Sequence, residues 1–234
     1  MELKLTKFIL QSEMLNRVQS YYLLEKKDQG QDVDLLFVQD GDDYLQLGQL
    51  QDAFRKLKDE NRGALILIPP GTSLERYHFY HPNGNSHQAY LSFFYEELIP
   101  QVEKIFSEKR KRIHKIGLLG DSLAGAVNLA IAAKKPKRWT HLLLQSAAFS
   151  NESYEQVKQV SNNWKVYQMV GQKEDEFVSP ITGEALMILT RNRLMKETLE
   201  NFGATITYFE QPTDHLWDVW RQDLPRALSY FFQN

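Results

Sequence analysis

The pattern of hydrophobic and polar positions differs between the two parts of the chain. In the N-terminal part, the segments LKLTKFIL and SYYLLEKK alternate apolar with polar residues, and DVDLLFVQDG is an apolar run that ends at a D-G turn signal. Alternation of this kind is typical of strands that bury one face. These three segments therefore predict an antiparallel start to a sheet.

A helix and a buried strand are predicted next. The helical pattern runs from 47 to 61, and its residues Leu50, Phe54 and Leu57 fall on one face. The apolar run ALILI at 64–68 follows, and an uninterrupted run of this kind predicts a strand that is buried on both faces.

Beyond this strand, helical and strand patterns alternate. Helices are predicted at 92–106, 124–135, 151–162, 184–202 and 216–232. Strands are predicted at 113–120, 139–147, 164–171 and 204–211. Pro100 and Pro225 are expected to bend or break their helices. Alternating strands and helices predict parallel crossovers, so we expect one α/β domain over 1–234: a mostly parallel central sheet with an antiparallel N-terminal start and helices on both faces.

Composition narrows the class of partner. The formal net charge of −2 gives no electrostatic reason to expect nucleic acid or an anionic membrane. The chain has no cysteine, which excludes disulfides, thiolate zinc sites and cysteine nucleophiles. Its first residues, MELKLTKFILQSEML, lack the apolar core of a signal peptide, and no apolar run approaches the roughly 20 residues that cross a bilayer. A cytoplasmic location is therefore predicted.

One segment has the form of a nucleophile turn. KIGLLGDSLAGAVNLA, residues 115–130, combines a buried strand, a tight turn at Ser122 and a helix of small residues. A strand-to-helix turn lifts the serine hydroxyl clear of the sheet and places helix N–H groups beside a developing oxyanion. Gly120 fits this G-x-S-x-G pattern, whereas Ala124 replaces its second glycine and Gly125 stands one place later. The alternative is a serine that only caps a helix.

The letters GDSL within this segment also spell the signature of a family of lipolytic enzymes. Resemblance to that family would imply that the GDSL motif lies near the N-terminus and that a D-x-x-H pair lies towards the C-terminus. Here the string lies in mid-chain and Asp214 directly precedes His215. The short match is therefore interpreted as chance.

A base and an acid are expected after the serine, each in a loop that follows a later strand. His215 follows the last predicted strand, and it is the histidine after Ser122 that lies in such a loop. A histidine there can take the serine proton and return it to the leaving group. Three acids, Glu174, Asp175 and Glu176, follow the strand at 164–171, and position alone leaves the choice among them open.

Two further features of this site are predicted, the donors for the oxyanion and the residues that line the pocket. The oxyanion donors are expected to be the backbone N–H of Leu123 and one N–H from the loop PPGTSLERY. The two prolines of this loop have no N–H, so the candidates are Gly71, Thr72 and Ser73, of which Thr72 is favoured. The aromatic residues Tyr77, Phe79 and Tyr80 are predicted to line the substrate pocket.

Other aromatic and histidine positions are interpreted without a role in binding. Trp217 and Trp220 are predicted to pack in the core. His78, His81 and His87 lack a suitably spaced acidic ligand, so no metal site is predicted.

With these residues placed, the chain resembles the alpha/beta-hydrolase superfamily, in particular the putative-esterase group of enterochelin-esterase-like and esterase-D-like proteins. The resemblance rests on ALILIPPG, FFYEELIPQVEKIF, IGLLGDSLAG, YQMVGQKEDEFV and DHLWDVWRQDLPRALSYFF. The D-x-x-V spacing of Asp175 and Val178 is similar to the acid loop of such hydrolases, which favours Asp175 over Glu174 and Glu176.

The resemblance implies hydrolysis of a carboxylic ester through an acyl-serine, by Ser122, Asp175 and His215, with no cofactor. A thioesterase or an acyltransferase would use the same residues, and a catalytically silent binding protein of the same fold is a second class. The expected partner is a small or medium ester, with no nucleic acid and no membrane; the oligomeric state stays open, a homodimer included.

Overall fold

The computed structural model describes residues 2–27, 30–57 and 62–233. In this part of the chain, eight strands form one sheet: β1 (Leu3–Ser12), β2 (Arg17–Lys26), β3 (Asp32–Gln39), β4 (Gly63–Ile68), β5 (Arg112–Asp121), β6 (His141–Gln145), β7 (Lys165–Gly171) and β8 (Thr205–Gln211). Their order across the sheet is β1-β2-β4-β3-β5-β6-β7-β8. The first two pairs, β1 with β2 and β2 with β4, are antiparallel, and the other pairs are parallel.

The predicted fold class is confirmed, with one correction in the N-terminal part. The third apolar run was expected to continue the antiparallel start, but β3 runs parallel to both β4 and β5. It lies between these two strands, buried on both faces, which explains its nearly continuous apolar sequence. This crossover places the end of β3, rather than that of β4, next to the serine turn.

Helices cover both faces of the sheet. They are α1 (Gly41–Gln46), α2 (Leu50–Lys56), α3 (Ser73–Tyr80), α4 (His87–Ser92), α5 (Ile99–Glu108), α6 (Ser122–Lys134), α7 (Asn151–Lys158), α8 (Ile188–Asn201) and α9 (Trp217–Phe232). A π-helical stretch, Phe93–Leu98, joins α4 to α5. Helices α1, α2 and α9 pack on one face, and the other helices surround a larger apolar core on the opposite face.

Several helices differ from their predicted extent. Within the segment 47–61, helix α2 covers Leu50–Lys56, a separate helix α1 precedes it, and residues 58–61 lie outside the described ones. The segment expected to be a loop contains α3, whose start at Thr72 and Glu75 is a capping box that the sequence pattern T-x-x-E signals. Helix α9 continues through Pro225, because its buried face, including Leu224 and Leu228, holds it against the sheet.

Candidate active site

Ser122 lies at the sharp turn between β5 and α6. Its φ of 47° is in the left-handed region, which is unusual for a residue with a side chain. A Cβ atom on Gly120 would lie 2.6 Å from the Ala124 carbonyl carbon, and one on Gly125 would lie 2.6 Å from the Ala147 Cβ. The small residues around Ser122 are therefore required by close packing of strand, turn and helix.

Two hydrogen bonds join the serine to a histidine and an acid. Nε2 of His215 is 3.0 Å from Oγ of Ser122, and Nδ1 of His215 is 2.9 Å from Oε2 of Glu174. Both polar side chains that flank the histidine are largely buried, with Ser122 8% and Glu174 0% exposed. The structure thus brings together the predicted serine and histidine.

Buried hydrogen bonds fix the carboxylate of Glu174. Its Oε1 accepts from the Ser146 hydroxyl at 2.7 Å and from the Gly171 N–H at 2.9 Å. The Ser146 hydroxyl in turn accepts from the indole N–H of Trp220, whose ring also packs edge-on against His215. Gly171 has no room for a side chain, because a Cβ there would lie 2.6 Å from Oε1 of Glu174. The acid is therefore held in one orientation.

The prediction that Asp175 is the acid beside His215 is wrong. The Asp175 carboxylate points away from the histidine and accepts hydrogen bonds from the backbone N–H of Thr190 at 2.9 Å and from its hydroxyl at 2.6 Å. The two acids are adjacent in a short 3₁₀ turn, Glu174–Glu176, which directs successive side chains differently. Spacing along the sequence does not show which of them faces inward.

The loops that carry the acid and the histidine are tied to each other. The Gln172 N–H donates to the Gln211 carbonyl at 2.7 Å, and the Lys173 N–H donates to the Thr213 carbonyl at 3.2 Å. These bonds extend the parallel pairing of β7 with β8 into the two loops. The distance between Glu174 and His215 is thus set by the sheet itself.

Of the two predicted oxyanion donors, one lies at the cavity in the structure and the other does not. Leu123 lines the cavity beside Ser122 and is the second residue of α6, where a backbone N–H has no acceptor within the helix. Thr72 does not line this cavity, and its N–H donates to Oε2 of Glu75 at 2.8 Å within the capping box. The prediction for Thr72 is therefore wrong, because helix α3 already uses that N–H.

A cavity of about 360 Å³ opens beside Ser122 and His215. Much of its wall is apolar and comes from Phe177, Ile181, Leu186, Trp217 and Trp220. The two tryptophans were expected to pack in the core; Trp220 is indeed buried, yet both also line this cavity. Their position directly after His215 in the chain was the signal for this role.

The predicted pocket residues lie elsewhere. Phe79 and Tyr80 are buried, and Phe79 stacks on Tyr90 in the core. Tyr77 stacks on His81 at a ring distance of 4.9 Å. None of the three lines the cavity beside Ser122. The prediction is wrong because their segment is the helix α3, whose Ser73 and Arg76 line the cavity whereas its aromatic residues contact other parts of the protein.

Charged residues that sequence reasoning missed form the polar end of the cavity. The Arg76 guanidinium donates to the buried Asp40 carboxylate, with Nε 2.6 Å from Oδ2, and its Nη2 lies 3.7 Å from Asp121. Burial and the nearby Asp40 charge raise the pKa of Asp121 well above its usual value. Burial, with the charges of Asp40 and Asp42, raises the pKa of Asp43 to about 6.

Nothing in the described residues points to a metal centre. No group of three or more His, Asp or Glu side chains there is arranged to hold an ion. Of the three histidines considered from the sequence, His87 places Nδ1 2.9 Å from the Phe79 carbonyl, and His81 stacks on Tyr77. In the same residues, no helix is both long enough and apolar enough to cross a membrane.

The strand order, the serine turn after β5 and the loops after β7 and β8 define the class of protein as an α/β hydrolase. The family model described as "Putative esterase" matches residues 10–231. The chain therefore belongs to the putative esterase family, a family of ester-cleaving hydrolases.

The chain is also similar to individual proteins, one in sequence and others in fold. The "Uncharacterized protein YjcH" of Bacillus subtilis (strain 168) is 29% identical over 204 residues, 83% of this chain and 82% of that protein. The enterobactin esterase FES from Shigella flexneri has a similar fold, with a TM-score of 0.79 at 18% identity over 98% of this chain. This chain spans 59% of that protein's length. A ferulic acid esterase has a TM-score of 0.70 at 15% identity, over 100% of this chain and 99% of that one.

Proposed function

We propose that this protein is a serine carboxylesterase in which Ser122 is the nucleophile, His215 the general base and Glu174 the acid that orients the histidine. The observation that carries this proposal is the continuous hydrogen-bond chain from Ser122 through His215 to Glu174, with contacts of 3.0 and 2.9 Å. Glu174 takes the role that the sequence assigned to Asp175.

In the first step, the Ser122 hydroxyl attacks the ester carbonyl carbon while its proton moves to Nε2 of His215. This requires a neutral ring that carries its hydrogen on Nδ1, and the Glu174 carboxylate, which can only accept, favours that tautomer. The carboxylate also stabilises the imidazolium that forms. The proton then passes to the leaving alkoxide, which departs as the alcohol and leaves an acyl-serine.

The oxyanion of the tetrahedral intermediate needs two backbone donors. The N–H of Leu123 is one, because it lies at the start of α6 beside the nucleophile. We assign the second to the turn between β3 and α1, because β3 pairs directly with β5 and Asp40 and Asp43 line the same cavity. The Asp40 N–H itself donates to the Tyr80 hydroxyl at 3.4 Å, so the donor is one of the first N–H groups of α1, which have no acceptor within the helix. The D-G letters at the end of β3 were the sequence signal for this turn.

In the second step, His215 takes a proton from water and the hydroxide attacks the acyl carbonyl. As the bond between the acyl carbon and Oγ breaks, His215 returns the proton to Oγ of Ser122 and the carboxylic acid leaves. The cavity size and its apolar wall favour a small or medium ester with an apolar or aromatic part. Two neighbours of similar fold are an enterobactin esterase and a ferulic acid esterase, which is consistent with ester cleavage. Thioesters and acyl transfer to an alcohol would use the same groups with another substrate or acceptor.

The substitution Ser122→Ala tests the proposal. It should lower kcat for p-nitrophenyl acetate by about 10⁶-fold and abolish labelling by a fluorophosphonate, because both reactions need the hydroxyl. Ser146→Ala is a less suitable control, since Ser146 contacts Glu174; Ser150→Ala, at the start of α7, is preferred. Equal turnover and labelling in Ser122→Ala and wild type would contradict the role of Ser122, and background turnover with no labelling in both would favour the silent binding protein.

The cytoplasmic location stays a prediction, and the oligomeric state, a homodimer included, stays open. Cell fractionation tests the first, and sedimentation equilibrium tests the second.

A further inference from the structure

A second cavity, of about 430 Å³, lies at the opposite edge of the sheet from Ser122. It opens where β5, β6 and β7 begin, whereas the candidate active site lies where β5 and β7 end. Its polar lining includes Lys115, Lys137, Thr140, His141, Asn163 and Lys165. We call this the basic cavity. Among the described residues that line it, none is acidic.

His141, which lines the basic cavity, has a ring nitrogen that lacks a hydrogen-bond partner. The residue is 4% exposed, and its Nε2 has no hydrogen-bond partner among the described residues. Its Nδ1 lies 2.9 Å from the Thr140 hydroxyl, which donates its own hydrogen to the Ile116 carbonyl. The Thr140 oxygen therefore accepts from Nδ1–H, which leaves Nε2 as a bare acceptor. A buried acceptor without a donor is costly.

Positive charge surrounds this acceptor. Burial, together with the charges of Lys115 and Lys165, lowers the pKa of His141 to about 4, so the ring is neutral at pH 7. Lys137 and Lys165 have no ion-pair partner in the part of the chain that the structure describes. The Lys115 ammonium group donates to the Phe231 carbonyl and lies 3.9 Å from the Asp34 carboxylate. Lys115 lines the cavity, whereas Asp34 does not.

The geometry points to a phosphate group as the ligand of the basic cavity, either as hydrogen phosphate or as a phosphate monoester. The lysine ammonium groups would bind the charged oxygens, and the Thr140 and Asn163 side chains line the same space. Nε2 of His141 would accept the hydrogen of a protonated phosphate oxygen. Hydrogen phosphate keeps one such hydrogen at neutral pH, and a phosphate monoester, whose second pKa is about 6, carries one in its singly charged form. Sulfate and carboxylates have no such hydrogen at that pH.

Binding of inorganic phosphate to the full chain, measured by calorimetry at pH 6.5, tests this inference. Phosphate should bind more tightly than sulfate at equal ionic strength. In NMR spectra, phosphate should also change the backbone amide chemical shifts of Thr140 and His141. Lys165→Glu should weaken phosphate binding by about tenfold or more, because it replaces an attractive charge with a repulsive one. Lys4→Glu, an equal charge change on the exposed edge strand β1, should not.

Each other outcome has a defined meaning. Tighter binding of glycerol phosphate than of inorganic phosphate would identify a phosphorylated metabolite as the source, and the reverse would identify the free ion; both support the site. Equal binding of sulfate and phosphate would refute the role of Nε2. Absence of binding, or equal weakening by Lys4→Glu, would refute the cavity as a phosphate site. Ester hydrolysis by Lys165→Glu should stay at the wild-type level, so this test is independent of the proposed function.

Discussion

At the scale of single residues, the two neighbouring acids Glu174 and Asp175 have different environments. Glu174 is buried and contacts His215, Ser146 and Gly171, whereas Asp175 contacts Thr190 at the start of α8. A one-residue difference in position along a 3₁₀ turn therefore separates an acid that can orient the histidine from one that stabilises a helix.

Glu174→Gln should lower kcat for p-nitrophenyl acetate by about 10⁴-fold, with little change in folding. The amide can keep the bonds from Gly171 and Ser146, but its NH₂ group no longer favours the hydrogen on Nδ1 of His215. Asp175→Asn is the matched control and should retain most of the wild-type kcat. The reverse result, with only the Asp175 variant inactive, would return the role to Asp175.

At the scale of secondary structure elements, the start of α8 depends on a side chain from an earlier turn. Met187, the residue before the helix, has a φ of 49° and makes no side-chain cap. Asp175 supplies the missing acceptor for the Thr190 N–H, and a negative charge is favourable at this helix end. The same contact closes the loop that carries Phe177 and Ile181 over the cavity.

Asp175→Ala should therefore destabilise the protein by about 1 kcal/mol, the usual cost of losing a helix N-cap. Urea denaturation measures this change. Glu176→Ala removes the exposed acid next along the chain and should cost less, since no side-chain bond to α8 depends on it in the described residues. An Asp175→Ala protein with wild-type stability but no turnover would contradict this assignment.

At the scale of the whole molecule, the cavity beside Ser122 exists because distant segments meet at one edge of the sheet. The turn after β3, the start of α6, the loop after β7 and the start of α9 all contribute to its wall. Ile181 is 43% exposed and stands at this wall, so its size should control which acyl groups enter.

Ile181→Trp should shift the preference towards shorter acyl chains. The larger ring reduces a cavity of about 360 Å³, so kcat/KM for p-nitrophenyl esters should fall more for octanoate than for acetate. Ile9→Trp, at an exposed position of β1 far from the cavity in the sheet order, is the matched control. An unchanged chain-length profile in Ile181→Trp would show that this wall does not contact the acyl group.

The sequence by itself determined the alternation of strands and helices, the turn at Ser122 and the candidacy of His215. These features are local: apolar periodicity records which faces are buried, and a strand-turn-helix with small residues leaves few alternatives. The T-x-x-E capping box of α3 is equally local, and it indicates that the Thr72 N–H is used within the start of that helix.

Only the tertiary structure decided which acid contacts His215, which residues surround Ser122 and which residues line the two cavities. Glu174 and Asp175 are equivalent in sequence, and what separates them is contact with residues more than 25 positions away in the chain, such as Ser146 and His215. The position of β3 beside β5 likewise follows from long-range strand pairing. Such contacts depend on how the whole sheet assembles, which no short stretch of residues records.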